Sequence, residues 1–226
     1  MVMRTMLILA LSCLVGCQSK QAKPPRVLIL GDSISIAYTP VVREVLGEEF
    51  VVVRPMASAK RAENCEGTTK GATAIDRWLE LDGGQFDIIH FNFGLHDLKA
   101  IDPDSGKASG NPNHPKQANL ETYLAQLEAI IDRLEKTNAK LIFATTTPVP
   151  EGGVKPFRNP EDVVSYNNAA VALMRSRSIE VDDLYGYVLP QLGEFQKPVN
   201  VHFTRAGSRF LGKKVAQSIG QSPRGQ

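Results

Sequence analysis

Two histidines and a serine stand where they could carry out acyl transfer. Gly31-Asp32-Ser33 follows the apolar run at residues 27–30, and Gly94-Leu95-His96-Asp97 follows a second apolar run. Val201-His202-Phe203-Thr204 comes just before the predicted C-terminal helix. A serine hydroxyl needs a base within hydrogen-bond reach, and neutral imidazole suits that task at pH 7. The spacing indicates a nucleophile, a base and a loop that can donate hydrogen bonds.

Each of these residues also has an ordinary structural interpretation. Ser33 could cap a helix, because serine is a preferred N-cap residue. His202 could be a surface histidine near a helix whose N-cap is Thr204. Other known motifs fit less well: the chain has no G-x-G-x-x-G, no P-loop and no G-x-S-x-G around Ser33.

Composition narrows the classes of function. The chain has 226 residues and a formal net charge of +2, which predicts one sizeable domain and no nucleic-acid partner. The histidines are scattered, and no Cys/His cluster has the spacing of zinc ligands. We therefore expect neither a metal nor a cofactor.

The N-terminus is typical of an exported lipoprotein. Arg4 precedes a short apolar stretch that ends in Leu14-Val15-Gly16-Cys17. We interpret residues 1–16 as a signal peptide whose ending resembles a bacterial lipobox. On this interpretation Cys17 is lipidated, residues 17–25 form a tether, and the domain occupies residues 26–222 outside the cytoplasm at a membrane. The alternative is ordinary signal cleavage nearby, with Cys17 incidental.

The elements that must position these residues alternate along the chain. Apolar runs and helical periodicity predict strands at 27–30, 50–53, 86–93, 140–145 and 179–181, and helices at 39–46, 72–81, 120–134, 162–176 and 205–219. This alternation predicts an α/β fold with a parallel five-stranded sheet covered on both faces. Sites in such sheets form at the carboxyl ends of the strands.

The order of these motifs resembles the SGNH (GDSL-type) hydrolases. Gly31-Asp32-Ser33 matches the first block of that family, and Asn64-Cys65-Glu66-Gly67-Thr68-Thr69 looks like the second. Gly94-Leu95-His96-Asp97 stands at the third block, and His202 at the last. The resemblance implies a flavodoxin-like three-layer α/β/α sandwich and ester hydrolysis through a serine acyl-enzyme without metal. It also implies that Ser33, Gly67 and His96 supply the oxyanion donors.

Three departures from the family pattern affect the site. His96 replaces the usual asparagine, but both side chains can donate an N–H. In the second block either Glu66 or Gly67 could offer the backbone N–H, and Gly67 is favoured. Val199 stands where the family has the aspartate that orients the histidine. The Asn200 amide or a main-chain carbonyl could replace it; the spacing slightly favours the carbonyl. Asp182 and Asp183 are the less favoured alternatives.

The resemblance therefore implies a serine esterase that cleaves short acyl esters, such as acetyl, on a small molecule or a carbohydrate. Two alternatives stay open: a lysophospholipase or thioesterase acting on lipid esters, and a catalytically silent relative that binds a ligand. Arg54, Lys60 and Arg61 lie on a loop near the predicted site, where one could contact an anionic substrate. More commonly, charged residues on a loop are solvated surface residues that contact no substrate. The oligomeric state is not set by the sequence.

Overall fold

The computed structural model describes residues 23–221. The predicted signal peptide, Cys17 and the tether up to residue 22 lie outside the described residues. Within the described range, no helix combines the length and apolarity that a membrane crossing requires.

One parallel sheet forms the centre of the molecule. The strands are β1 (Arg26–Leu30), β2 (Val51–Val53), β3 (Met56–Ser58), β4 (Arg61–Ala62), β5 (Ile88–Phe91), β6 (Lys140–Ala144) and β7 (Glu180–Asp182). Five of them pair in the order β2-β1-β5-β6-β7, all parallel, while β3 and β4 form a separate antiparallel pair. The predicted five-stranded parallel sheet is confirmed.

Helices cover both faces of this sheet. They are α1 (Ser33–Leu46), α2 (Thr68–Leu79), α3 (Leu120–Leu134), α4 (Pro160–Ser176), α5 (Leu184–Val188), α6 (Leu192–Phe195) and α7 (Arg205–Gln221). Helix α1 packs on α7, while α2 packs on α3 and α3 on α4. Right-handed crossovers in a sheet of this order put α1 on one face and α2, α3 and α4 on the other. The result is the three-layer α/β/α sandwich that the sequence predicted.

The middle strands are largely apolar because both of their faces are covered. In β1, residues 27–30 are fully buried, and in β5 Ile89 and Phe91 are as well. A continuous apolar run is the expected pattern for a parallel strand in such a position. The rigid centre fixes the strand ends from which the loops of the site leave.

Helix α1 differs from its prediction in a way that matters for the site. It begins at Ser33, six residues before the predicted start at Thr39, and it contains Pro40. Asp32 is its N-cap, with its carboxylate accepting a hydrogen bond from the Ile34 N–H at 2.8 Å. Pro40 hid the first turns from a pattern-based prediction, since proline usually marks a helix start or a break. Ser33 is therefore the first helical residue, one position after the cap.

The region predicted as a loop at residues 54–70 is more structured than expected. It holds the β3–β4 pair and, from Thr68, the first turn of α2. The short helices α5 and α6 were not predicted, because elements of four or five residues carry little periodicity.

Candidate active site

The predicted site residues lie at the carboxyl edge of the sheet. The chain leaves β1 toward β2 on one side, and β5 pairs with β1 on the other. The connections from β1 and from β5 therefore run in opposite directions along the sheet. Such a change of direction opens a crevice between the loops that follow these two strands. Ser33 follows β1, and the loop at residues 94–97 follows β5, so both belong to this crevice.

Buried contacts hold the turn that carries Ser33. The Ser35 hydroxyl donates to the Asp32 carbonyl at 2.7 Å, and burial raises the pKa of the Asp32 carboxyl. The Arg54 guanidinium contacts the same turn, with Nη1 and Nη2 each 3.4 Å from the Ser35 Oγ, and donates to the Thr39 hydroxyl at 2.8 Å. The turn is thus fixed by hydrogen bonds on both sides, which leaves little freedom for the Ser33 backbone.

Ser33 and His202 are in contact although 169 positions separate them. The Ser33 Oγ lies 2.9 Å from His202 Nε2. Ser33 is half-buried and His202 is exposed, so solvent reaches this pair. The structure brings the predicted nucleophile and the predicted base within hydrogen-bond distance.

Asn200 sets the orientation of the His202 ring. Its Oδ1 accepts from the His202 backbone N–H at 2.9 Å and lies 2.8 Å from Nδ1. An amide oxygen only accepts, so Nδ1 carries the proton and Nε2 presents its lone pair to the Ser33 hydroxyl. The slight preference for a main-chain carbonyl was wrong, because the side chain of Asn200 takes that place.

The aspartates considered as alternatives lie elsewhere. Asp182 is buried with its carboxylate 3.2 Å from His90 Nε2, and Asp183 caps α5 by accepting from the Gly186 N–H at 3.0 Å. Val199, at the position of the family aspartate, has φ of +47°, which is strained for a β-branched residue. This turn places the next residue, Asn200, against the histidine.

His96 is a neutral imidazole that lines the same cleft. Burial, with the cationic Lys99 and Arg158 nearby, lowers the pKa of His96 to about 3. Lys99 Nζ lies 3.5 Å from His96 Nδ1, and an ammonium can only donate, so Nδ1 accepts. The Glu66 carboxylate, at 3.9 Å from the same nitrogen, is too far to compete for a hydrogen bond. The proton of the neutral ring is therefore on Nε2.

The second block reaches the cleft through Asn64. Asn64 lines the cleft, whereas Gly67 is not among the lining residues found within 23–221. A Cβ on Gly67 would stand 2.6 Å from the Asp97 carboxylate, so this α-carbon packs against the third block. The Glu66 N–H donates to Asn64 Oδ1 at 2.9 Å, which leaves the Asn64 Nδ2 donors available. Asx turns of this kind are common, but which residue faces the cleft depends on the fold.

Asp97 joins the third block to the start of α2. Its fully buried carboxylate accepts from the Thr68 N–H at 2.9 Å and from the Thr68 hydroxyl at 2.6 Å. Burial raises the pKa of Asp97 to about 6, and the Thr68 hydrogen bonds oppose that rise. The loop with His96 is thereby anchored to the segment with Asn64.

These residues surround a cleft of about 340 Å³. Its lining residues are Ser33, Asn64, Leu95, His96, Lys99, Ala108, Val154, Lys155, Pro156, Arg158, Asn200, Val201 and His202. The loops at residues 100–117 and 148–158 share one wall, since Ala100 N donates to Phe157 O and Phe157 N to Ser109 O, both at 2.8 Å. Ala108, from the first of these loops, lines the cleft.

The cations at the cleft are not those singled out from the sequence. Arg54 is buried beneath the Ser33 turn, and Lys60 and Arg61 are exposed on the β3–β4 pair, outside the lining. Lys99, Lys155 and Arg158 line the cleft instead, from loops after β5 and β6. Their shared position depends on contacts between distant loops, and no local sequence signal marks them.

In the part of the chain that the structure describes, no three His, Cys, Asp or Glu residues group closely enough to hold a metal ion. The chemistry of the cleft is that of a hydroxyl, an imidazole and several N–H donors.

Comparison with known proteins agrees with the fold. A lipase/acylhydrolase from Enterococcus faecalis superposes with a TM-score of 0.68 at 19% identity, covering 89% of this chain and 99% of the other. The acetyl xylan esterase AlAXEase gives a TM-score of 0.65 at 17% identity, covering 86% and 99%. A lipolytic G-D-S-L family protein from Veillonella parvula DSM 2008 gives 0.61 at 16%, covering 87% and 98%.

No curated protein matches the sequence. The family model described as "GDSL-like Lipase/Acylhydrolase family" matches residues 29–210, which include Ser33, Asn64, His96 and His202. The match spans most of the chain and all the elements that build the cleft. The chain therefore belongs to the GDSL-like lipase/acylhydrolase family and is an ester hydrolase.

Proposed function

We propose that the protein is a serine esterase that removes short acyl groups, acetyl above all, through an acyl-enzyme on Ser33. The observation that carries the proposal is the chain of contacts from Ser33 Oγ to His202 Nε2 at 2.9 Å and from His202 Nδ1 to Asn200 Oδ1 at 2.8 Å. A nucleophile, a base and a group that orients the base form the unit that activates a serine.

In the acylation step, the Ser33 hydroxyl attacks the ester carbonyl as its proton passes to His202 Nε2. Asn200 Oδ1 holds the Nδ1 proton, which keeps the accepting lone pair directed at Ser33. The imidazolium then gives its proton to the leaving alcohol. Water attacks the acyl-Ser33 ester by the same route in reverse and releases the acid.

Three N–H donors are assigned to the oxyanion. Ser33 is the first residue of α1, and the first N–H groups of a helix have no partner within it. His96 contributes Nε2–H, because Lys99 occupies its other ring nitrogen. From the second block, we assign Asn64 Nδ2, in place of the Gly67 N–H expected from the sequence, because Asn64 lines the cleft.

A short acyl group on a hydrophilic alcohol suits this cleft. Its volume of about 340 Å³ lies at the small end of ligand sites, which commonly span roughly 300–1,000 Å³. The exposed His202 leaves the alcohol side open to solvent, so a bulky carbohydrate could remain outside. One structural neighbour is an acetyl xylan esterase, which is an activity of that protein and agrees with this choice.

We further propose that the enzyme is exported and held at the membrane by lipid on Cys17. The support is the sequence Leu14-Val15-Gly16-Cys17 at the end of a short apolar stretch. Cys17→Ala should move the protein from the detergent phase to the aqueous phase, or leave the precursor uncleaved. Wild-type protein that is wholly aqueous, with an unmodified N-terminus elsewhere, would contradict the anchor.

A fluorophosphonate probe tests the nucleophile directly. Wild-type protein should be labelled on Ser33 and lose hydrolysis of 4-nitrophenyl acetate in proportion. Ser33→Ala should show neither labelling nor turnover, while Ser176→Ala, at the exposed end of α4, should still be labelled. Labelling of Ser33→Ala at the wild-type rate would refute the assignment.

A further inference from the structure

The charges that line the cleft all have one sign. Three of the lining residues are cations, Lys99, Lys155 and Arg158, and none is a carboxylate. No ion pair joins any of the three to a carboxylate of residues 23–221. Lysine and arginine side chains on the outer surface of a protein commonly pair with carboxylates. Three cations that line one small cleft without such a pair therefore suggest that the cleft binds an anionic ligand.

Arg158 is the strongest of these observations. Its side chain is buried, with the residue only 5% exposed. The carboxylate that acts on it is the buried Asp32, which forms no ion pair with it and already accepts the Ile34 N–H at 2.8 Å. A buried charge without a direct partner is costly. Two carbonyls fix one edge of the guanidinium: Nε donates to Leu95 O at 2.6 Å, and Nη1 donates to Pro156 O at 3.2 Å. Nη2 makes no hydrogen bond within the described chain, yet Arg158 lines the cleft. A donor is therefore held in place without a partner.

Lys99 and Lys155 extend this positive wall. Lys99 is half-buried beside His96, and Lys155 is exposed at the rim. Glu66 is the carboxylate that acts most strongly on Lys99, but it already pairs with Lys70 at 3.2 Å. Glu66 is thus already paired, and it does not neutralise the charge of Lys99.

From these contacts we propose that the natural substrate is an ester that carries an anionic group, such as a carboxylate or sulfate, beside the scissile bond, and that Arg158, Lys99 and Lys155 bind this group. The proposal rests on the proposed esterase function, since it names the substrate class of the same site. A planar guanidinium suits a carboxylate or sulfate because it can offer two parallel N–H donors. The two lysines add attraction without a fixed geometry.

Two matched pairs of probes locate the anion. On the acyl side, 4-nitrophenyl hydrogen succinate is compared with its methyl ester. On the alcohol side, 4-acetoxybenzoate is compared with methyl 4-acetoxybenzoate. The rate without enzyme at the assay pH is subtracted for each ester, because the succinate carboxylate attacks its own aryl ester. Each kcat/KM is then divided by the rate constant for hydroxide hydrolysis of the same ester, which corrects for its intrinsic reactivity.

We expect the corrected kcat/KM of the anionic ester to exceed that of its neutral partner in one of the two pairs. The pair that shows this difference tells whether the anionic group of the substrate belongs to the acyl or to the alcohol part. Arg158→Gln should lower that anionic-to-neutral ratio roughly 10-fold or more, since a hydrogen bond to a charged group is being lost. Lys155→Met at the exposed rim should lower the ratio about 2- to 5-fold. High salt should lower the anionic rate preferentially.

Lys136→Met is the matched control. Lys136 is exposed in the turn after α3, at the opposite edge of the sheet, and its loss changes the net charge equally. This variant should keep the wild-type ratio. If Arg158→Gln does not fold, Lys155→Met gives the same test, because Lys155 is exposed at the rim of the cleft.

The proposal is overturned if both wild-type ratios are at or below one, or if the ratio is the same in the cleft variants and in Lys136→Met. Failure of the esterase function is a separate result. In that case no ester of either pair is cleaved, or Ser33→Ala cleaves them as well as the wild type does.

Discussion

The two edges of the sheet carry hollows that differ in size and in charge. At the amino edge, a depression of about 720 Å³ includes Arg177, which pairs with Glu128 at 2.9 Å and with Asp132 and Glu135 at 3.0 Å each. At the carboxyl edge, the cleft has half that volume, and its lining holds three cations and no acid. The lining of the larger hollow includes the carboxylates Glu135 and Glu180, which pair with Arg177 and Lys140, whereas the lining of the smaller one holds no carboxylate. Volume alone would have selected the wrong edge.

The largest expected effect is the loss of the base at the carboxyl edge. His202→Ala should lower turnover of 4-nitrophenyl acetate by roughly 10⁴-fold or more, because Ser33 then has no proton acceptor. The control is Ser176→Ala, which removes a hydroxyl from the end of α4 at the amino edge and should keep full activity. A fully active His202→Ala enzyme would overturn the mechanism.

Removing a donor from the wall should have the next largest effect. His96→Ala should lower kcat by roughly 10²- to 10³-fold, the range for the loss of one oxyanion donor. His96→Asn should retain more activity, because its amide restores an N–H. The low pKa of His96, about 3, keeps the ring neutral, so the fold-loss in His96→Ala should be constant from pH 5 to 8. If both variants match the wild type, His96 is structural.

Freeing the His202 ring should lower turnover less than removing it. Asn200→Ala frees the His202 ring from the contacts of 2.9 and 2.8 Å that hold it. We expect turnover to fall roughly 10- to 100-fold, as for a misplaced catalytic group. Thermal unfolding should change little, since Asn200 is exposed. Wild-type turnover in Asn200→Ala would mean that another group orients the ring.

The buried Asp97 at the carboxyl edge should affect the pH dependence of stability rather than the catalytic rate. The pKa of Asp97 rises from 3.8 to about 6 on folding, so the folded protein binds more protons than the unfolded chain between these values. The free energy of unfolding should therefore fall as pH rises through this interval, by roughly 3 kcal/mol at 1.36 kcal/mol per pKa unit. Denaturant titrations of the wild type and of Asp97→Asn at several pH values measure this change. The difference in the free energy of unfolding between the two proteins should fall with rising pH over the same interval. A difference that does not change with pH would contradict the shift.

The smallest effect is expected at the amino edge. Arg177→Met should leave both the rate on 4-nitrophenyl acetate and the anionic-to-neutral ratio at their wild-type values. Its only expected consequence is a slight fall in Tm that salt diminishes, because exposed ion pairs are weak and screened. A changed ratio would break the contrast between the two edges.

The sequence predicted those parts of the site that local patterns encode. Apolar runs identified the strands, and Ser33 and His202 followed from their positions at element ends. Asn200 could not be assigned with certainty, because its contact depends on the left-handed turn at Val199. Arg158, Lys99 and Asn64 were missed as cleft residues for a different reason. Their loops meet through long-range contacts, such as Arg158 Nε to Leu95 O, and these have no counterpart in local spacing.

The exposure of His202 decides what happens to the acyl group after the alcohol departs. Within residues 23–221 no segment covers the imidazole, since His202 is exposed and Ser33 is half-buried beside it. Bulk water at about 55 M is then the nearest and most abundant acceptor for the acyl-serine, as in any site without a dry chamber. The arrangement favours hydrolysis over transacylation, so a second alcohol added to the reaction should compete poorly for the acyl group.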